Sequence, residues 1–138
     1  MIKGFIEKWD KHSKELEEYF RNTEQKEYSN YVDIVKLLFE LVINKDEVYD
    51  CNKFDTENIL VIDDGDYQGT EIFILHKDTY QPSTEEYVYT NNYYGSCSGC
   101  DTLLSISVYN YGKPNEEQVK DYMELALHLL QKCKYMSE

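Results

Sequence analysis

The sequence has few of the features that mark membrane, secreted or nucleic-acid-binding proteins. Its 138 residues include two prolines, one tryptophan and a single arginine, Arg21. No apolar run approaches the roughly 20 residues that a membrane-spanning helix needs. The first residues lack the apolar stretch and the small-residue cleavage site of a secretion signal. We therefore expect a soluble, cytoplasmic protein that does not bind membranes.

Positive charge is scarce along the whole chain. Lys and Arg number 14 against 27 Asp and Glu, which gives a formal net charge of −13. Such a chain repels phosphate backbones, so direct binding to nucleic acid is disfavoured. Residues 58–101 hold eight acidic residues and one lysine, a net charge of −7. More than half of the excess negative charge therefore lies in the middle of the chain.

Apolar periodicity predicts helices at both ends of the chain. Residues 2–22 and 30–43 place apolar side chains at three-, four- and seven-residue spacings, and Asn44 is a plausible left-handed stop for the second helix. Residues 98–101 have the Ser-x-x-Asp form of a capping box before a third helix. Residues 115–135 predict the last helix, with Asn115 as its N-cap.

The middle of the chain changes to strand patterns. Residues 59–62 and 72–75 are short β-branched and aromatic runs that flank a turn, which predicts a hairpin. Residues 85–94 predict a third strand, and residues 48–51 add a candidate edge strand. We therefore expect a single α+β domain over residues 1–138: a small antiparallel sheet of three to four strands, flanked by two N-terminal and two C-terminal helices.

A loop with two cysteines lies between the third strand and the third helix. Its residues are Gly95, Ser96, Cys97, Ser98, Gly99, Cys100 and Asp101. The C-x2-C spacing lets two thiolates share a zinc ion, and it also suits thiol redox chemistry. The glycines next to a helix start suit a cradle for an anion or small ligand, and they equally suit a tight turn in which the cysteines only pack. No catalytic residue is identified, so we expect a binding protein rather than an enzyme.

Two segments resemble a family of small proteins from bacteriophages and prophages. They are the Tyr-Gly-Ser-Cys-Ser-Gly-Cys-Asp-Thr-Leu motif of residues 94–103 and the helix of residues 121–134, Asp-Tyr-Met-Glu-Leu-Ala-Leu-His-Leu-Leu-Gln-Lys-Cys-Lys. The resemblance implies a phage or mobile-element setting and no catalytic residues. In that setting, small acidic proteins often act by binding a host protein.

The leading hypothesis combines the central negative charge with the 14 tyrosines, because tyrosine is a common interface anchor. It predicts an acidic, tyrosine-rich surface that engages a host protein, including one that handles nucleic acid. The predicted surface residues are Asp63, Asp64, Asp66, Tyr67, Glu85, Glu86, Tyr87 and Tyr89. The alternative hypothesis is that the Gly95–Asp101 loop binds zinc, through Cys97 and Cys100, or a small anionic ligand. The wide apolar face of the last helix also allows a homo-oligomer.

Overall fold

The helices form where apolar side chains recur at helical spacing. The computed structural model describes residues 1–107 and 110–137. Its α-helices are α1 (Lys3–Asn22), α2 (Tyr31–Leu38), α3 (Thr102–Ser107) and α4 (Glu116–Gln131). α2 continues directly into a π-helical turn, Phe39–Ile43, so the two predicted N-terminal helices are confirmed. No helix within the described residues is both long and apolar enough to cross a membrane.

The strands form a single antiparallel sheet. They are β1 (Leu60–Asp63), β2 (Gly69–His76), β3 (Tyr87–Tyr94) and β4 (Lys134–Tyr135), and their spatial order is β1-β2-β3-β4. Short 3-10 turns lie at Gln25–Tyr28, Asp50–Asn52 and Thr84–Glu86. The predicted α+β fold, with its hairpin and third strand, is confirmed, and β1 is an edge strand.

Two predicted segments differ in the structure. Residues 48–51 form no strand: Val48 and Tyr49 are largely exposed, and a 3-10 turn begins at Asp50. The fourth strand is instead β4, which pairs with Val88 and Tyr89. The last helix therefore ends at Gln131 rather than at residue 135, because the chain must turn back to reach the edge of the sheet.

The core lies between the helices and one face of the sheet. Phe73, Leu75 and Val88 project from that face and are buried. α4 contacts the sheet at β3 and is itself contacted by α1, α2 and α3. Within residues 1–107 and 110–137, the helical layer therefore covers one side of the sheet, and the side chains of alternate strand residues point away from it.

The chain leaves the π-helical turn at Asn44, but the left-handed residue comes two positions later. Asn44 keeps right-handed backbone angles, and its side-chain amide bonds both backbone groups of Phe54. The left-handed residue is Asp46, with φ of 73°. The prediction of a left-handed Asn44 is therefore wrong, because its side chain holds the following loop.

Asp46 also joins this turn to α1. Its Oδ2 lies 2.9 Å from Lys11 Nζ and 2.7 Å from His12 Nε2. Hydrogen bonds from Lys11 and then His12 hold the pKa of the Asp46 carboxyl at about 2, below its ordinary 3.8. Since the folded pKa is below that of the unfolded chain, the ionised carboxylate stabilises the fold at neutral pH. That contribution is lost as the pH falls from about 4 towards 2.

We therefore predict that Asp46→Asn lowers the free energy of unfolding at pH 7 and that its difference from the wild type shrinks as the pH falls from about 4 to about 2. Asparagine tolerates the left-handed backbone, so the substitution tests the charge and not the turn. Urea denaturation of both proteins across this pH range measures the effect, with Asp10→Asn as an exposed control on α1. An equal deficit at both ends of the range would contradict the prediction.

Candidate functional site

The strand register leaves one face of the sheet without a covering layer in the described structure. We call it the open sheet face. In β2 the alternation places Ile72 and Ile74 on this face, while Phe73 and Leu75 point into the core. The same alternation in the paired strands adds further members. The open sheet face comprises Leu60, Ile62, Thr70, Ile72, Ile74, His76, Tyr87, Tyr89, Asn91, Tyr93 and Lys134.

Apolar side chains form cross-strand rows on this face. Ile74 stands between Leu60 and Tyr89, and Ile72 stands opposite Ile62. Directly opposed side chains lie about 5 Å apart and contact one another. Leu60, Ile62 and Tyr93 are nonetheless 56%, 46% and 52% exposed. The face therefore presents aliphatic and aromatic surface to water in a contiguous patch.

Carboxylates lie at the two ends of the open sheet face and not on it. The β1–β2 hairpin carries Asp63, Asp64 and Asp66 at one end, and Glu85 and Glu86 precede β3 at the other. The eight residues of β2 separate these ends by about 24 Å. The predicted acidic surface thus divides into two acidic ends. Of its tyrosines, Tyr87 and Tyr89 lie on the face between them, and Tyr67 is 83% exposed in the hairpin turn.

Part of the negative charge at the hairpin end has a structural role. Asp63 Oδ1 accepts hydrogen bonds from the Tyr94 hydroxyl at 2.6 Å and from the Gly65 backbone at 2.9 Å. These bonds lower the pKa of Asp63, and the same contact raises the pKa of Tyr94 to about 12. Asp64 Oδ1 accepts the Thr70 N–H at 2.7 Å across the hairpin. Asp66, by contrast, is exposed at the tip of the turn.

The opposite end is shaped by a capping box. Ser83 Oγ donates to Glu85 at 2.9 Å, and the Ser83 backbone N–H donates to Glu86 at 3.1 Å. The Glu85 side chain stays exposed, and the ring of Tyr87 lies 5.6 Å from that of His76. This end therefore offers a carboxylate beside an aromatic pair.

The loop that follows β3 is built around a buried carboxylate. Asp101 is 5% exposed, and its Oδ1 accepts the Gly95 N–H and the Tyr31 hydroxyl, both at 2.9 Å. Its Oδ2 accepts the Leu104 N–H at 2.9 Å, as an N-cap of α3 does. The prediction that Ser98 caps this helix is therefore wrong; Asp101 caps it.

Tyr31 joins the loop to the N-terminal half of the chain. Its hydroxyl donates to Asp101 and accepts the Leu103 N–H at 3.0 Å. Burial raises the pKa of Tyr31, so the hydroxyl keeps its proton and remains a donor. Gly95 has no room for a side chain, because a Cβ there would meet the backbone carbonyl oxygen of Cys100. The loop is thus held in place by the Tyr31 hydroxyl and by the close packing of Gly95 against the Cys100 backbone.

Cys97 and Cys100 are exposed, and their Sγ atoms lie 3.0 Å apart. Hydrogen bonds from the Cys97 side chain and then its backbone lower the pKa of Cys100. Within residues 1–107 and 110–137, no group of three or more His, Cys, Asp and Glu side chains could hold a metal ion. The loop therefore supplies two thiols as donors, and Asp101, their neighbour in sequence, points inward.

The backbone of the loop is also largely committed. The N–H groups of Cys100 and Asp101 donate to the Cys97 carbonyl at 3.1 Å and 2.9 Å. Gly95 donates to Asp101, and Cys97 donates to Cys100 Sγ at 3.2 Å. Four of the seven N–H groups are therefore used inside the loop, which leaves a poor cradle for an anion.

A shallow groove of about 370 Å³ lies between this loop and the core side of the hairpin. Its lining includes Val61, Glu71, Tyr94 and Asp101. Burial and then the charges of Asp63 and Asp101 raise the pKa of Glu71. The groove thus repels anions, and this repulsion also disfavours a phosphate-binding loop.

The open sheet face was missed by the sequence analysis. Residues 59–62 and 72–75 are continuously apolar, and such runs are typical of strands buried on both faces. Only the number of helices available to cover a sheet could have signalled that one face stays open. Comparison with known proteins adds no precedent: no family model, curated protein or solved structure matches this chain.

We predict that Tyr31→Phe lowers the free energy of unfolding by about 1–3 kcal/mol, because it deprives the buried Asp101 carboxylate and the Leu103 N–H of a partner. Urea denaturation measures the change. Tyr49→Phe, at a largely exposed tyrosine, is the matched control and should have little effect. Equal stability of the two variants would show that the Tyr31 hydroxyl does not hold the loop.

Proposed function

We propose that this chain is a non-enzymatic binding protein that docks a basic protein on its open sheet face. The observation that supports this most directly is the contiguous apolar patch of that face, with carboxylates at both ends. Such an arrangement matches an interface with an apolar centre and a polar rim. Large contiguous apolar patches rimmed by polar residues are typical of interaction sites.

The charges indicate what kind of partner would fit. Apart from His76, the open sheet face as described carries one residue with an ionisable basic or acidic side chain. This residue is Lys134, in the edge strand β4. The ends carry Asp66 and Glu85, both exposed. A partner with an apolar centre and flanking Lys or Arg side chains would complement this pattern. A second copy, with a net charge of −13, would bring like charges together.

Because two segments of the chain resemble phage and prophage proteins, we propose that the partner is a protein of the host cell. Host proteins that handle nucleic acid carry the basic surfaces that the acidic ends would attract. The acidic, tyrosine-containing surface of the sequence-based hypothesis is retained in a changed form. Tyr87 and Tyr89 belong to the contact face, and the carboxylates steer and orient the partner at its ends.

We predict that Ile62→Thr combined with Ile72→Thr weakens partner binding at least about tenfold, because it removes buried apolar contact at the centre of the interface. Threonine keeps the β-branched shape, so the strands should still form. The partner is captured from host lysate with the wild-type protein, purified, and titrated against each variant. Val48→Thr, at a position that is 82% exposed outside the sheet, is the matched control.

Unchanged affinity of the double variant, with an unchanged melting temperature, would overturn the proposal. A mass in solution that rises with concentration and falls in the double variant would assign the face to self-association instead. That result would also overturn the proposal of a basic partner.

We predict that Asp66→Lys combined with Glu85→Lys slows association with the same purified partner and flattens its dependence on salt. These positions are chosen because Asp63, Asp64 and Glu86 have backbone partners whose loss would disturb the fold. Glu7→Lys combined with Asp10→Lys makes the same change in net charge on exposed positions of α1. Equal association rates for the two double variants would contradict a role for the acidic ends.

A further inference from the structure

The two thiols of the loop form a site of their own, independent of the open sheet face. Cys97 and Cys100 are both exposed, with their Sγ atoms 3.0 Å apart. A disulfide bond of about 2.05 Å requires the sulfur atoms to approach by about 1 Å. Because the Cys100 and Asp101 N–H groups both bond the Cys97 carbonyl, the turn already holds the two side chains together.

The surroundings of the pair distinguish it from the other cysteines. Cys51 is exposed and has no neighbouring cysteine in the sequence, and Cys133 is fully buried. Burial raises the pKa of the Cys133 thiol to about 12, so its reactive thiolate is suppressed. Of the four cysteines, only Cys97 and Cys100 combine access to solvent with a partner sulfur at contact distance.

The hydrogen bonds also distinguish the two members of the pair. The Cys97 backbone N–H donates to Cys100 Sγ at 3.2 Å, and Ser96 Oγ lies 3.9 Å from the same sulfur. A thiolate at Cys100 is stabilised by these donors, and the pKa of Cys100 is lowered accordingly. The backbone N–H at 3.2 Å favours Cys100 as the nucleophile and Cys97 as the resolving thiol.

We propose that Cys97 and Cys100 form a dithiol site that reacts with low-molecular-weight disulfides, such as oxidised glutathione, and closes to an intramolecular disulfide. The Cys100 thiolate attacks one glutathione sulfur, forms a mixed disulfide and releases one glutathione thiolate. Cys97 loses its proton and attacks Cys100 Sγ, which releases the second glutathione. The two cysteines lose two electrons and two protons, and one oxidised glutathione becomes two reduced molecules.

The experiment uses the full chain with Cys51→Ser, so that the loop carries the only exposed thiols. The protein is treated with oxidised glutathione and followed by mass spectrometry of the intact and digested chain. We expect the loss of two hydrogen atoms, a Cys97–Cys100 linkage and no glutathione adduct. Adding Cys97→Ser should trap one glutathione on Cys100. Adding Cys100→Ser should leave Cys97 to react about tenfold more slowly.

Three results would overturn the proposal. Two glutathione adducts on the Cys51→Ser protein would show that the thiols react separately. Equal adduct rates at the two cysteines would remove the assigned roles. Protection of both thiols by added zinc, at one ion per chain and against a chelator, would make the loop a metal site. The melting temperature of each variant, measured in parallel, establishes that the loop substitutions leave the fold intact.

Discussion

The distribution of apolar surface between the two faces of the sheet determines most of what this molecule presents to its surroundings. The other three helices of the described chain contact α4, and α4 contacts the sheet from one side. Ile72 and Ile74 on the other side remain partly exposed. Each 100 Å² of such surface withdrawn from water is worth about 2.5 kcal/mol. The part of this apolar area that folding leaves exposed is what the proposed partner would withdraw from water.

Local patterns were sufficient to predict the elements whose signals lie within themselves. The N-cap role of Asn115 and the apolar spacing of α1 can be read from residues close together in the sequence, and both predictions are confirmed. The wrong predictions concern elements whose structure depends on residues far away in the sequence. The strand at Lys134 exists because Val88 offers an edge 40 or more residues away, and no periodicity of a two-residue strand could indicate it.

In the candidate site, too, local features could be predicted from the sequence, whereas features that depend on distant residues could not. The cysteine spacing identifies the loop from the sequence, but its geometry depends on Tyr31, which is 70 residues from Asp101 along the chain. The carboxylates are equally visible in the sequence, whereas their separation into two ends follows from strand register. The apolar part of the open sheet face could not be distinguished from core, since a run such as residues 72–75 looks the same whether one or both faces are covered.

The position of β1 at the margin of the sheet has a consequence for how copies of this protein coexist. Its pairing with β2 uses the backbone groups on one side, and alternate residues direct N–H and C=O groups outward as a template for another strand. Leu60 and Ile62 make that margin attractive to a like chain. The hairpin aspartates lie next to this edge, and repulsion between their like charges would oppose the stacking of copies. At 1 M salt the Debye length falls to about 3 Å, which would screen this repulsion. The exposed apolar edge strand would remain, so we expect association of copies to increase with salt.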